Sequence, residues 1–103
     1  MAPLYRKKRV EFIVEASCAA AIIEMVEQEG AHGYSVLPQV SGKGNRGVRN
    51  DAHLSDVFRN VLIIVIASPE IVQRIVERST ALLENYAGIV VVSDVDVVRD
   101  EHF

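Results

Sequence analysis

The sequence predicts an α+β domain in which an antiparallel four-stranded sheet carries two helices on one face. Three observations lead there. Apolar residues alternate with period two in four segments and recur at helical spacing in two others, the six elements run in the order βαββαβ, and glycine, proline and serine fall at their boundaries. With 103 residues, half of them hydrophobic and 24% charged, the chain is expected to form one domain over residues 1–103.

The first strand is expected over residues 8–15, where Val10, Phe12 and Val14 alternate with Glu11, Ile13 and Glu15. Ser17 is placed to cap a helix whose face is Ala19, Ile22, Ile23 and Val26, and Gly30 is placed to end it in a left-handed C-cap. Residues 32–41 read as the second strand, and Pro38, which cannot donate to a ladder, puts that strand at a sheet edge or on a bulge. Residues 41–55 form a long polar loop. Residues 56–67 return to strand chemistry, with Phe58, Leu62, Ile64 and Ile66 on one face and Val57, Val61, Ile63 and Val65 on the other. Ser68 then serves as N-cap and Pro69 as the first helical residue. The second helix turns Ile71, Val72, Ile75, Val76, Leu83 and Tyr86 inward and Glu70, Gln73, Arg74, Glu77 and Arg78 outward. Gly88 opens the fourth strand, with Ile89 to Val92 and then Val95, Val97 and Val98.

With right-handed crossovers, βαββαβ gives the ferredoxin-like arrangement. Two helices cover only one side of its sheet, yet the third and fourth strands are apolar on both. With no further segment in these residues to cover the second side, another copy of the chain is the expected cover, and clefts would form between subunits.

Eleven Lys and Arg against fourteen Asp and Glu give a net charge of −3, the wrong sign for a chain that neutralises a phosphate backbone, so no nucleic-acid partner is expected. The longest apolar run, residues 61–67, falls far short of the roughly 20 residues that span a bilayer. The basic start lacks the apolar stretch and cleavage site of a secretory signal, and the single cysteine, Cys18, forbids an internal disulfide; together these suggest the cytosol.

The loop is the chemical centre of the sequence, because a hairpin needs two to five connecting residues and this connection is far longer. Gly42, Lys43, Gly44, Asn45, Arg46 and Gly47 supply unobstructed backbone N–H groups, an ammonium and a guanidinium, which suit phosphate or a small oxyanion. The same residues, with Arg49, also fit a solvated hairpin tip, and both readings stand. They match G-x-G-x-x-G as well, but that fingerprint must open a helix, and here the next element is a strand, which argues against a dinucleotide-binding fold of that type.

Taken with the element order, Gly33-Tyr34-Ser35-Val36 in the second strand, Gly42-Lys43-Gly44-Asn45-Arg46 at the base of the loop and Tyr86-Ala87-Gly88-Ile89 at the fourth strand resemble the PII-like signalling proteins. The likeness is closest to the branch linked to bicarbonate transport and carboxysomes, and it covers nearly the whole chain. The resemblance implies a cytoplasmic, non-enzymatic homotrimer that binds an adenine nucleotide in each inter-subunit cleft and changes the shape of a T-loop, here about residues 42–55, to engage a partner. A membrane transporter or a carboxysome-related protein would be that partner. By position, Gly33, Tyr34 and Ser35 would lie near the base or ribose and Gly88 and Ile89 would enclose the adenine. Gly42, Lys43, Gly44 and Arg46 would meet phosphates or a bound anion such as bicarbonate.

Departures from the family pattern shape the expectation. Ala67-Ser68-Pro69-Glu70 passes straight into the second helix, where nitrogen-signalling relatives carry a second phosphate loop, so ADP or AMP is favoured over ATP. No tyrosine stands between Gly42 and Ser55 to accept a nucleotidyl group, and the tail lacks the paired cysteines of some transporter-linked relatives. Arg99 could complete a phosphate site, and the basic run at residues 6–9 could reach a phosphate or simply flank the first strand in water. Cys18 reads as a packed small side chain, and the three histidines have no metal-ligand spacing. Three other functions share the fold. An RNA reader would need stacking aromatics on its central strands, where Phe58 stands nearly alone. An acylphosphatase-like enzyme would need an arginine-bearing loop where Glu15-Ala16-Ser17-Cys18 stands. A trimeric protein of the divalent-cation-tolerance type would predict metal ligands instead of a basic glycine loop.

Overall fold

The computed structural model describes residues 2–41 and 60–103. Its elements run β1 (Tyr5–Glu15), α1 (Ala16–Gln28), β2 (Ser35–Val40), β3 (Asn60–Ala67), α2 (Pro69–Leu82) and β4 (Gly88–Val97). The strands form one antiparallel sheet in the order β2-β3-β1-β4, which is the ferredoxin-like topology expected from the element order.

Cross-strand partners share a face, so the register separates the two sides of the sheet. Val10, Phe12 and Val14 of β1 stand opposite Val65, Ile63 and Val61 of β3, and all six are buried against the helices. Cys18, Ile22, Met25 and Val26 of α1 and Val72 and Ile75 of α2 complete the core. Ser79 is the one buried polar residue among those described, and its hydroxyl donates to the Ile75 carbonyl at 2.6 Å. The far side carries a second set of rows, Ser35-Ile64-Glu11-Val91 and Leu37-Leu62-Ile13-Ile89. Leu37, Val91 and Ile89 are 45%, 46% and 56% exposed, so much of the far face is apolar and no described residue covers it.

The element boundaries differ from expectation in instructive ways. β1 begins at Tyr5, three residues early, because the basic run pairs across to acidic residues of β4. Ser17 does not cap α1. The helix starts at Ala16 with Glu15 in the N-cap position, leaving Ser17 inside the first turn. Gly30 does take the left-handed conformation, with φ +97°, and closes the helix as Ala31 N–H donates to the Val26 carbonyl. β2 starts at Ser35 instead of His32, since its ladder with β3 begins at Ser35 opposite Ile64. It is an edge strand, and it also carries a bulge: β2 advances three positions from Leu37 to Val40 while β3 advances two, from Leu62 to Asn60. Pro38 sits in that bulge, and the extra residue is absorbed beside it at Gln39, whose φ is +59°. Ser68 is the N-cap of α2 with Pro69 following; its carbonyl accepts the first helical hydrogen bond from Val72 N–H, and its hydroxyl makes no capping bond. α2 ends at Leu82, so Tyr86 lies beyond it and is 38% exposed. The first part of the expected third strand, residues 56–59, lies outside the described residues.

Glu29 ties the end of α1 to α2. Its carboxylate accepts from Arg74 Nε at 3.0 Å and from Arg78 at 2.9 Å, and its backbone carbonyl accepts a second Arg74 donor. The Arg78 hydrogen bond, with help from Arg74 and against partial desolvation, holds the Glu29 carboxyl below the ordinary carboxylate range.

Candidate functional site

Because β1 and β2 run opposite to β3 and β4, four strand ends meet at one end of the sheet. Val40 pairs with Asn60, Asn60 with Glu15, and next to them Val14 pairs with Gly88. The chain leaves β2 through Ser41 and returns at Asn60, so the long loop is rooted at the end where Gly88 and Ile89 begin β4. Gly42, Lys43, Gly44 and Arg46, and the T-loop as a whole, lie outside the described residues.

Gly33, Tyr34 and Ser35 lie elsewhere. Ser35 opens β2, and Gly33 and Tyr34 precede it, at the opposite end of the sheet and on its opposite edge from β4. The two outer strands are three strand spacings apart, about 14 Å at 4.8 Å each. One chain therefore brings Gly88 and Ile89 to the root of the loop but does not bring Gly33 to Ser35 to the same place. A pocket lined by both segments needs two chains.

The two glycines differ in what requires them. A Cβ on Gly88 would lie 2.7 Å from Val14 Cγ1 and 2.9 Å from the Ile13 carbonyl oxygen, so β4 can approach β1 here only without a side chain. Among the described residues a Cβ on Gly33 would meet nothing within 4 Å. Packing inside the chain explains Gly88 and leaves Gly33 unexplained. Two tyrosines flank these positions: Tyr34 is 44% exposed beside Gly33, and Tyr86 stands two residues before Gly88. The resemblance gave Tyr34 a place near the base or ribose and carried Tyr86 only within its motif; both side chains are exposed, as is Tyr5 at 37%.

Three of the four cations of the basic run pair with acidic residues of β4 and the tail. Arg6 pairs with Asp96 at 2.9 Å, Lys8 with Asp94 at 2.6 Å and Lys7 with Asp100 at 2.6 Å. A hydrogen bond from Lys8 holds the Asp94 carboxyl below its usual value, and Asp96 raises the Arg6 guanidinium further. The Arg6–Asp96 and Lys8–Asp94 pairs are at least partly exposed and worth little individually, and they accompany the ladder with β4 that carries β1 to Tyr5, whereas Lys7 is 12% exposed. Arg99 makes no ion pair among the described residues and lines a shallow hollow with Asp96, Val97, Glu101, His102 and Phe103. Cys18 is fully buried, and burial, with Glu15 adding a smaller effect, pushes its thiol up, away from the reactive thiolate. Among the described residues no three His, Cys, Asp or Glu side chains converge on a metal site, and no helix is long and apolar enough to cross a membrane.

Comparison with solved structures places this geometry among relatives. CPII, a nitrogen regulatory PII-like protein from Thiomonas intermedia K12 bound to ADP, AMP and bicarbonate, superposes with a TM-score of 0.83 at 26% identity, over 96% of this chain and 94% of its own. The same protein bound to ADP and bicarbonate gives 0.83 at 29% identity, over 96% and 95%. A PII-like signaling protein from Thermus thermophilus gives 0.78 at 32% identity, over 97% of each chain. No curated protein sequence matches the chain significantly. The family model described as nitrogen regulatory protein P-II matches residues 7–102. On that match, which spans nearly every residue and agrees with the strand order and the helix placement, this chain belongs to the P-II family.

Proposed function

We propose that the protein is a cytoplasmic, homotrimeric PII-like regulator, not an enzyme, which senses ADP or AMP in preference to ATP in clefts between its subunits. Bicarbonate is the second ligand. The signal passes through residues 42–55 to a membrane transporter or a carboxysome-related protein in inorganic-carbon physiology. The observation that carries this reading is the whole-length likeness to CPII in its complex with ADP, AMP and bicarbonate. Two features of this chain support it. The apolar far face asks for a second copy, and Gly33 to Ser35 and Gly88 to Ile89 sit on opposite sheet edges, where only a neighbouring chain could bring them together.

In this reading Gly33, Tyr34 and Ser35 of one chain and Gly88 and Ile89 of another enclose the adenosine. The open space at Gly33 fits a ligand's close approach, and the bare backbone at the start of β4 offers a flat wall. Gly42, Lys43, Gly44 and Arg46 hold the phosphates or bicarbonate through N–H groups and cationic side chains. Isothermal titration with ADP, AMP and ATP, each with and without bicarbonate, tests this. Tight binding of ADP or AMP that bicarbonate alters supports it; a strong preference for ATP with no bicarbonate effect refutes it. Arg46→Ala should weaken nucleotide binding by about 1–3 kcal/mol, the scale of a charge-assisted hydrogen bond, while leaving assembly intact. Unchanged affinity removes Arg46 from the site. A thermal-shift panel of metal ions addresses the divalent-cation-tolerance alternative: stabilisation by metals instead of adenine nucleotides would favour it.

A further inference from the structure

The far face of the sheet is apolar around its centre, but the centre itself is charged. Arg9 lies between Ile66 of β3 and Ser93 of β4, and Glu11 lies between Ile64 and Val91. Their side chains are already 36% and 29% exposed in a single chain, with Arg9 Nε 3.4 Å from Glu11 Oε1. That contact is an ion pair without hydrogen-bond geometry, and Arg9 Nε, sealed from solvent, has no hydrogen-bond partner among the described residues. A buried guanidinium N–H without an acceptor costs the protein free energy. The neighbouring cation Lys7 differs, since it already has Asp100 as its partner.

A second copy closing over this face would strip water from the remaining guanidinium and carboxylate atoms, which then need partners of opposite charge. The face offers them in alternation, Arg9 and Glu11 two residues apart on the central strand β1. We infer that Arg9 of one chain pairs with Glu11 of the next, so that the centre of the assembly is an inter-chain ring of alternating charges which fixes the register of the apolar faces. The inference rests on the proposed self-assembly and adds the residues that specify it. Apolar contact among Leu37, Leu62, Ile64, Ile89 and Val91 is non-directional and would tolerate sliding, whereas a desolvated ion pair tolerates one alignment.

Sedimentation equilibrium of the full chain, with Arg9→Met, Glu11→Gln and the double variant Arg9→Met/Glu11→Leu, tests the inference. Each single variant should weaken assembly at least tenfold by leaving one charge unpaired in the interface, and the double variant should recover most of it. Circular dichroism confirms that each variant is folded, and Glu11→Gln keeps the shape of the native side chain. A mixture of Arg9→Cys and Glu11→Cys chains carrying tags of different size reads the contact directly, since an oxidised heterotypic product should form in preference to either homotypic one. Single variants that assemble like the parent, or a double variant no better than either single, would overturn the charge ring while leaving the oligomer standing. A parent chain that sediments as a monomer at micromolar concentration would overturn both.

Discussion

Replacing Gly88 by alanine isolates how closely β4 approaches β1. The added Cβ would sit 2.9 Å from the Ile13 carbonyl oxygen, while ordinary contact begins at 3.4 Å, so the strands must part by about 0.5 Å at that pair. The oxygen belongs to the backbone and cannot rotate away. The second close atom, Val14 Cγ1 at 2.7 Å, belongs to a side chain only 1% exposed, so a new rotamer there would disturb the core. Overpacking of this kind costs about 1–3 kcal/mol. The alanine recovers about 0.4–1 kcal/mol by restricting the unfolded chain, which at the midpoints of the two ranges leaves a net loss of about 1.3 kcal/mol. For a domain of this size that lowers Tm by about 5–10 °C. Calorimetry without nucleotide and at one fixed protein concentration is the assay, because assembly makes Tm concentration-dependent. Gly33→Ala is the matched control: among the described residues its Cβ would meet nothing within 4 Å, so Tm should stay level or rise slightly, and any loss should appear in nucleotide affinity instead. If Gly88→Ala melts within about 1 °C of the parent, the tight approach of β4 to β1 is wrong.

Ile63→Ala, at a fully buried position between β1 and the helices, should cost about 2–5 kcal/mol in urea unfolding, and a loss below about 1 kcal/mol would show that the core can collapse around the deletion. Glu29, whose carboxyl is held below its ordinary 4.5 by Arg78 and Arg74, should stabilise the fold fully above that value and lose the contribution as pH falls through its lower folded value. Acid titration of Tm should therefore flatten at its low-pH end in Glu29→Gln, and an unchanged profile would exclude the clamp. Cys18, fully buried with its thiol pushed up, should stay unreactive toward a thiol reagent in the native protein at neutral pH and react on unfolding; rapid native labelling would contradict its burial.

Much of this was written in local pattern. Alternation over Val10, Phe12 and Val14 gave the first strand and the side it buries, because side chains on a strand alternate whatever the partner, whereas the third strand is apolar on both faces and only its register with β1 turns Val61, Ile63 and Val65 to the core. Gly30 and Pro69 marked helix boundaries because their backbone constraints are their own. Pro38 likewise announced the bulged edge strand. The apolar character of both faces of β3 pointed to a partner beyond the chain.

The tertiary structure decided whatever depends on register between distant segments. Nothing local in the basic run at residues 6–9 tells it that Asp94 and Asp96 will stand opposite, yet that pairing carries β1 to Tyr5 and gives Arg6 and Lys8 acidic partners. Glu29 becomes a clamp only when α2 is laid beside the end of α1. The resemblance placed Gly33 to Ser35 and Gly88 to Ile89 in a cleft between subunits, and only the strand order shows that one chain holds the two segments on opposite edges of its sheet and does not bring them together. Composition and spacing fix which surfaces a segment can offer, and only the pairing of strands far apart in the chain fixes what each surface meets.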